Sequence, residues 1–293
     1  MKPPRFEYIP AESLDHAVET LAGLGEDAKF IAGGQSLVPL MAIRLSWPSH
    51  LVDIGGLPET SRITVAADGS LRVGATCVQR AAERSAVVAR ACPLLPAAIA
   101  CIGHVPIRNR GTVGGSLAHA DPASELPMSS VVLDAELVTR RPGGVQRVIA
   151  AQDFYLGPLT TALEPDEVLE EVRIPAWPAG AGWGMREFSR RNGDFAVVAL
   201  AAMLRLAPGG TIAEARIAVA GVAATPLRAS AVESMLVGEQ PGEELFRSAG
   251  AELSRSIEPH SDIHGSDSFR RRLSAVLAER SLADALDRAE VRQ

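Results

Sequence analysis

Cysteine is scarce: Cys77, Cys92 and Cys101 are the only three in 293 residues, and none is paired in a C-x-x-C spacing. That count supports neither a disulfide framework nor an iron-sulfur or zinc site, so the thiols read as small buried fillers. Long apolar runs are missing too. No window approaches the roughly eighteen apolar residues that span a bilayer, and Met1-Lys2-Pro3-Pro4-Arg5-Phe6 lacks the apolar core of a signal peptide. The expected location is therefore cytoplasmic. Positive charge is not in excess: the net charge is -6 and no basic run reverses it locally, which argues against a nucleic-acid partner. His104 and His119 have no second ligand at metal spacing, so no metal site is expected. No catalytic dyad or triad stands out either.

What the chain does have is a 47% hydrophobic fraction, that of a folded protein, and a length that fits two or three compact units. It also has two glycine-rich segments about eighty residues apart, Ala32-Gly33-Gly34-Gln35-Ser36 and Thr112-Val113-Gly114-Gly115-Ser116. Paired glycines beside small hydroxyl residues suit a backbone that approaches an anion and aims NH groups at it. Each segment follows an apolar run. Together they read as two halves of a pyrophosphate clamp, and on this reading Gly114→Val loses the ligand from a chain that stays folded, because a side chain would occupy the space of the pyrophosphate and positive φ would be penalised.

The apolar spacing of Leu14, Ala17, Val18 and Leu21 predicts a helix from Ser13, its N-cap, to Leu24. A strand from Lys29 to Ile31, the first glycine segment, a helical stretch from Leu37 to Arg44 and a strand from His50 to Ile54 follow. This order resembles a βαβ unit without the G-x-G-x-x-G spacing of a Rossmann fold, which is rejected. Strands from Arg62 to Ala66 and Leu71 to Ala75 flank the turn Asp68-Gly69. An alanine-rich helical stretch, Val78 to Ile102, is broken at Pro93 and Pro96. Ile102 to Pro127 reads as a long functional loop. Strands are expected at Ala135 to Arg140, Gln146 to Ala150 and Val168 to Ile174, with a linker at Pro175 to Gly180. The last third holds strands at Met185 to Arg190, Phe195 to Leu206 and Glu214 to Ala220, then helices. In Phe269 to Leu286 the residues Leu273, Val276, Leu277, Leu282 and Leu286 form an apolar stripe, with Arg270, Arg271 and Arg272 read as solvated.

The two glycine segments, extended to Leu37 on one side and from Ile107 through Asp121 to Pro127 on the other, are similar to those of the FAD-binding medium subunit of the molybdenum hydroxylases. Carbon monoxide dehydrogenase and xanthine dehydrogenase belong to that family. The similarity also takes in Phe6-Glu7-Tyr8, Leu51-Val52-Asp53-Ile54, Ser189 to Ala196 and Phe269 to Leu273. It implies an α+β fold: a two-part FAD-binding domain of the vanillyl alcohol oxidase (PCMH) type, at 1–56 and 57–176, then a C-terminal domain at 180–290 with a three-stranded antiparallel sheet and helices.

The resemblance also implies FAD contacts at Ala32, Gly33, Gly34, Gln35, Ser36, Leu37, Thr112, Val113, Gly114, Gly115 and Ser116, with NH groups of the four glycines carrying most of the anion binding. Asp121 and Glu125 fall where relatives place acidic or polar groups beside the cofactor, and Leu169 and Arg186 where they touch it. Arg108 could neutralise phosphate charge, and Phe195 stands where some relatives lay a tyrosine over the isoalloxazine ring. The implied role is electron transfer. Hydroxylation and the iron-sulfur relay would lie on partners, a large molybdopterin-binding subunit and a small subunit with two 2Fe-2S clusters, and electrons would leave FAD for NAD, a quinone or oxygen. The rival readings are a stand-alone FAD-dependent oxidoreductase of the same superfold and a non-enzymatic binding module.

Overall fold

The computed structural model describes residues 2–289 as three larger sheets and one small two-stranded one, with helices packed on them. The first is built as the βαβ pattern requires. Strand β1 (Glu7–Pro10) leads into helix α1 (Leu14–Leu24), which is capped by Ser13, whose Oγ accepts from the His16 NH at 3.1 Å, and stopped by Gly25. Strand β2 (Ala28–Ile31), helix α2 (Leu37–Ala42) and strand β3 (His50–Asp53) follow, giving a parallel sheet in the order β1-β3-β2. Leu14, Ala17, Val18 and Leu21 of α1 are buried against Val52 and Ile54.

The second sheet begins with the predicted hairpin, β4 (Ile63–Val65) and β5 (Leu71–Gly74). The alanine-rich stretch then forms three helices, α3 (Gln79–Arg84), α4 (Ala86–Ala91) and α5 (Leu94–Cys101). The first break falls at Ser85, whose side chain caps α4, rather than at a proline. Pro96 sits in the first turn of α5, where the missing NH has no intrahelical role, and breaks nothing. The expected loop from Ile102 to Pro127 is largely helical: α6 (Val105–Arg108), α7 (Val113–His119) and the start of α8 (Glu125–Val132). These helices are too short to display an apolar period, and tertiary contacts fix them. Strands β6 (Glu136–Arg141) and β7 (Val145–Ala150), the one-turn helix α9 (Ala151–Phe154), a small hairpin of β8 (Tyr155–Gly157) and β9 (Thr160–Thr161), and strand β10 (Val168–Ile174) complete the unit. The antiparallel order is β4-β5-β10-β6-β7.

After 175–181, strands β11 (Gly182–Phe188), β12 (Val198–Leu206), β13 (Ile212–Ala220) and a two-residue β14 (Leu227–Arg228) form an antiparallel sheet. The expected three strands are there with a short fourth, and β12 starts beyond Phe195. Helices α10 (Ser230–Leu236), α11 (Glu243–Ser256) and α12 (Asp267–Arg288) follow. Alternation along the strands sorts side chains by size. Val198, Leu200, Leu204, Ile217 and Val219 join the core of the helical layer, while Ala199, Ala201, Ala218 and Ala220 face the core of the preceding unit, against which α8 packs. Small residues on that face let α8 come close. Arg270, expected in solvent, is buried: it donates to the carbonyl oxygens of Val197 and Gly221 and pairs with Asp262 at 2.7 Å. Those strand-end carbonyls need a donor away from water, which a local pattern does not reveal. No helix among the described residues is long and apolar enough to cross a membrane.

Candidate cofactor site

The end of β2, the first turn of α2, the start of α7 and the segment 193–195 enclose a cavity of about 720 Å3. That lies within the ~300–1,000 Å3 usual for bound small molecules and cofactors. Both glycine segments border it, and they touch each other. A Cβ on Gly33 would lie 2.2 Å from the Arg110 carbonyl oxygen and 2.8 Å from Gly111 Cα, so only glycine lets the two loops close. Gly34 turns the chain at φ +70, and Gln35 Nε2 braces the bend by donating to the Gly33 carbonyl at 3.2 Å. Among the described residues no acceptor meets the NH groups of Gly33, Gly34, Gln35, Ser36 and Leu37. Five successive main-chain donors at a cavity wall make a concave anion seat.

The second segment is built differently. Val113 NH donates to Cys77 O at 2.9 Å, Gly114 NH to Ala75 O at 2.8 Å, Gly115 NH to Thr112 Oγ1 at 3.0 Å and Ser116 NH to Thr112 O at 3.2 Å. Neither Gly114 nor Gly115 has positive φ. A Cβ on Gly114 would meet Ala75 Cβ at 2.4 Å, so this glycine is there for helix-on-strand packing and not for ligand approach. The expectation that the NH groups of Gly114 and Gly115 bind the anion is thereby corrected. Among the described residues the run of open NH groups belongs to the first loop, the second leaving only that of Thr112; the second loop brings hydroxyls, with Thr112 and Ser116 both at the wall.

Of the other expected contacts, Ala32, Leu37, Glu125, Leu169 and Phe195 also border the cavity, Phe195 with 67% of its surface exposed. Four do not. Val113 is buried in the core. Arg108 is 7% exposed and engaged away from the cavity: it pairs with Glu83 at 3.0 Å and donates to the carbonyls of Ile102 and Gly103. It shapes the wall, since Ile102 and Gly103 line it. Asp121 accepts from the Ala123 NH at 2.8 Å, the turn role that an Asp before a proline suggests. Arg186 lies opposite Leu200, on the sheet face toward α12, where Asp284 holds it at 2.6 and 2.8 Å. Its neighbour Glu187 pairs with Ala199 and so faces α8.

Two lining residues carry no sequence signal. Gln79 is 4% exposed, with Nε2 on Thr112 O and a buried Oε1 that finds no donor among the described residues. Such an orphan acceptor fits a ligand hydroxyl or amine. Among the described residues Lys29, on β2, is the only lysine or arginine at the wall. A charged residue alternating out of a short strand reads locally as ordinary surface.

Burial also sets the protonation of the site. Burial, and then the neighbouring Glu187 charge, pushes the Glu125 carboxyl up to about 8, while burial pushes Glu187 up to about 7. Desolvation lowers His119. The thiols of Cys77, Cys92 and Cys101 are raised to about 11, 12 and 12, chiefly by burial, and are poor nucleophiles.

A diphosphate with polar, ring-bearing ends fits this donor set: open NH groups and hydroxyls for the charge, an orphan amide oxygen, apolar walls and an exposed aromatic ring. The comparisons agree. A family model described as the FAD binding domain in molybdopterin dehydrogenase matches residues 4–177, and the CO dehydrogenase flavoprotein C-terminal domain matches 183–285. The 6-hydroxypseudooxynicotine dehydrogenase complex subunit alpha of Paenarthrobacter nicotinovorans is 39% identical over 99% of this chain and 97% of its own length. The carbon monoxide dehydrogenase medium chain of Hydrogenophaga pseudoflava is 37% identical over 96% and 97%. Among solved structures, carbon monoxide dehydrogenase from the same organism superposes with a TM-score of 0.95 at 38% identity, covering 99% of this chain and 100% of that one. Quinoline 2-oxidoreductase from Pseudomonas putida 86 superposes at 0.93 with 39% identity, covering 98% and 99%. With one family model spanning residues 4–177, a second spanning 183–285 and relatives aligned end to end, the chain belongs to the FAD-binding medium subunits of the molybdopterin-dependent dehydrogenases.

Proposed function

We propose that this chain is the electron outlet of a heteromeric molybdenum hydroxylase. FAD bound in the cavity would take electrons from 2Fe-2S clusters on a small partner subunit, after substrate oxidation at a molybdopterin site on a large partner subunit. It would deliver them to an external acceptor: NAD, a quinone or oxygen. The observation that carries this reading is the run of open NH groups from Gly33 to Leu37 at a wall closed by the second loop. The cofactor supplies two-electron redox chemistry with one-electron steps available. The chain's residues hold and orient it. The first-loop NH groups would donate to the diphosphate oxygens, the Thr112 and Ser116 hydroxyls would add donors, Gln79 Oε1 would accept a hydrogen bond, and Phe195 would cover an aromatic face. In this reading 1–56 and 57–176 are the two halves of the cofactor domain and 180–290 is the C-terminal domain.

Purified chain is expected to be yellow, with one noncovalent FAD per chain released on denaturation. Apo protein that takes up no added FAD would overturn the assignment. Adding substrate to the assembled complex should bleach the flavin, and adding it to this chain alone should not. Bleaching of the isolated chain would favour a stand-alone oxidoreductase.

A further inference from the structure

Glu125 opens helix α8 and Glu187 lies on the face of β11 that meets it, so two acids from different domains are brought together beside the cavity. Their carboxyls are close enough to act on each other's protonation. Glu125 is 5% exposed and borders the cavity, and no cation or other side-chain donor bonds it among the described residues. Glu187 Oε2 is buried and likewise has no donor among them. Two carboxylates in contact away from water repel and leave acceptors unmet; one proton between them removes both faults. The other groups facing the pair do not neutralise it. Asp121 adds negative charge and the Cys101 thiol stays neutral. Arg108 is engaged by Glu83 and two carbonyls, and the neighbouring faces of β12 and β13 present alanines. The pair also adjoins the wall around Phe195: Cys101, beside both acids, leads into Ile102 and Gly103, and His104 packs on Gly193.

We propose that Glu125 and Glu187 share one proton while the flavin is oxidised and bind a second from solvent when it is reduced, so that the pair offsets the negative charge of the reduced ring. The proposal rests on the cavity binding FAD. The balance is explicit. Two electrons arrive singly from iron-sulfur clusters on a partner, one proton forms an N–H bond on the flavin ring, and one forms an O–H bond on the carboxyl pair. Oxidation by the acceptor returns the second of these to solvent through Glu187, the more exposed of the two residues. Glu125 and Glu187 are positioning residues that set the flavin's potential and transfer no electrons.

The test is spectroelectrochemical titration of FAD-loaded chain from pH 5.5 to 9.5 for wild type, Glu125→Gln and Glu187→Gln. Each proton taken up per electron pair steepens the potential by about 30 mV per pH unit, a tenfold change in equilibrium constant per unit. Wild type should fall by about 60 mV per pH unit around neutrality. Both variants should fall by about 30, because a glutamine cannot complete the proton-sharing pair. If Glu125→Gln fails to hold FAD, Glu187→Gln, which does not border the cavity, decides alone. FAD bound with the same slope in wild type and Glu187→Gln overturns this proposal and leaves the cofactor assignment standing. Wild type that binds no FAD overturns both.

Discussion

The loop Ala32–Ser36 and the loop Thr112–Ser116 present nearly the same residue types to the same cavity, yet their backbones are in opposite states. In the first the amides are open, and its glycines either turn the chain at positive φ or let another backbone pass. In the second the amides from Val113 to Ser116 are bonded within the chain, and Gly114 is pressed against Ala75. One loop leaves a row of amides open to the cavity; the backbone of the other is a strut that fixes its distance from the sheet, and only its hydroxyls reach the wall. A glycine pair therefore signals close backbone approach, and what approaches can be a ligand or the protein itself.

Gly33→Val should have the largest effect on the cofactor. Its side chain would collide with Arg110 O, separate the loops and lower bound flavin more than tenfold, read from the 450 nm absorbance of gel-filtered protein. Gly114→Val should instead lower stability by roughly 1–3 kcal/mol or more through overpacking, seen in the melting of apo and loaded protein alike. Flavin loss from a Gly114→Val chain with normal melting would break the comparison, because it would make the backbone of the second loop a ligand surface as well.

Farther along the second segment, Glu125→Gln probes charge. The wild-type carboxyl is raised by burial, so the native chain keeps a proton that the unfolded chain loses above about pH 4.3. Stability should therefore fall as pH rises from there through about 8, and the variant, neutral throughout, should not share that fall. Melting curves should coincide near pH 4, and at pH 8.5 the variant should be more stable by on the order of 1 kcal/mol or more. Thr112→Val should remove the cap on Gly115 for about 1 kcal/mol, with a modest loss of flavin affinity.

Much of this arrangement is legible in the sequence because it is local. The apolar stripe of α1 and its Ser13 cap, the order of strand, glycine bend, helix and strand, and the hairpin at Asp68-Gly69 are all found within two residues of where the patterns place them. The glycine segments point to the cavity for the same reason. What could not be read depends on partners distant in sequence. Helix α7 is held by bonds to Cys77 and Ala75, and α6 by the Arg108–Glu83 pair. Arg270 is drawn inward by carbonyls forty-nine and seventy-three residues away. Gln79 becomes a wall residue only once α3 lies beside Thr112. Arg186 was misplaced by a single step along a strand.

That step has a wider meaning for how such a flavoprotein changes over time. Strand β11 shows a cation to solvent-side helix α12 and an acid to the cofactor side at successive positions. A one-residue insertion within the strand just before Arg186 would shift the register by one, setting its guanidinium where Glu187 now stands and turning Glu187 toward α12. A register slip inside β11, which the loop before it would not produce, is thus a change that alters the charge beside the cavity without replacing any residue that lines it.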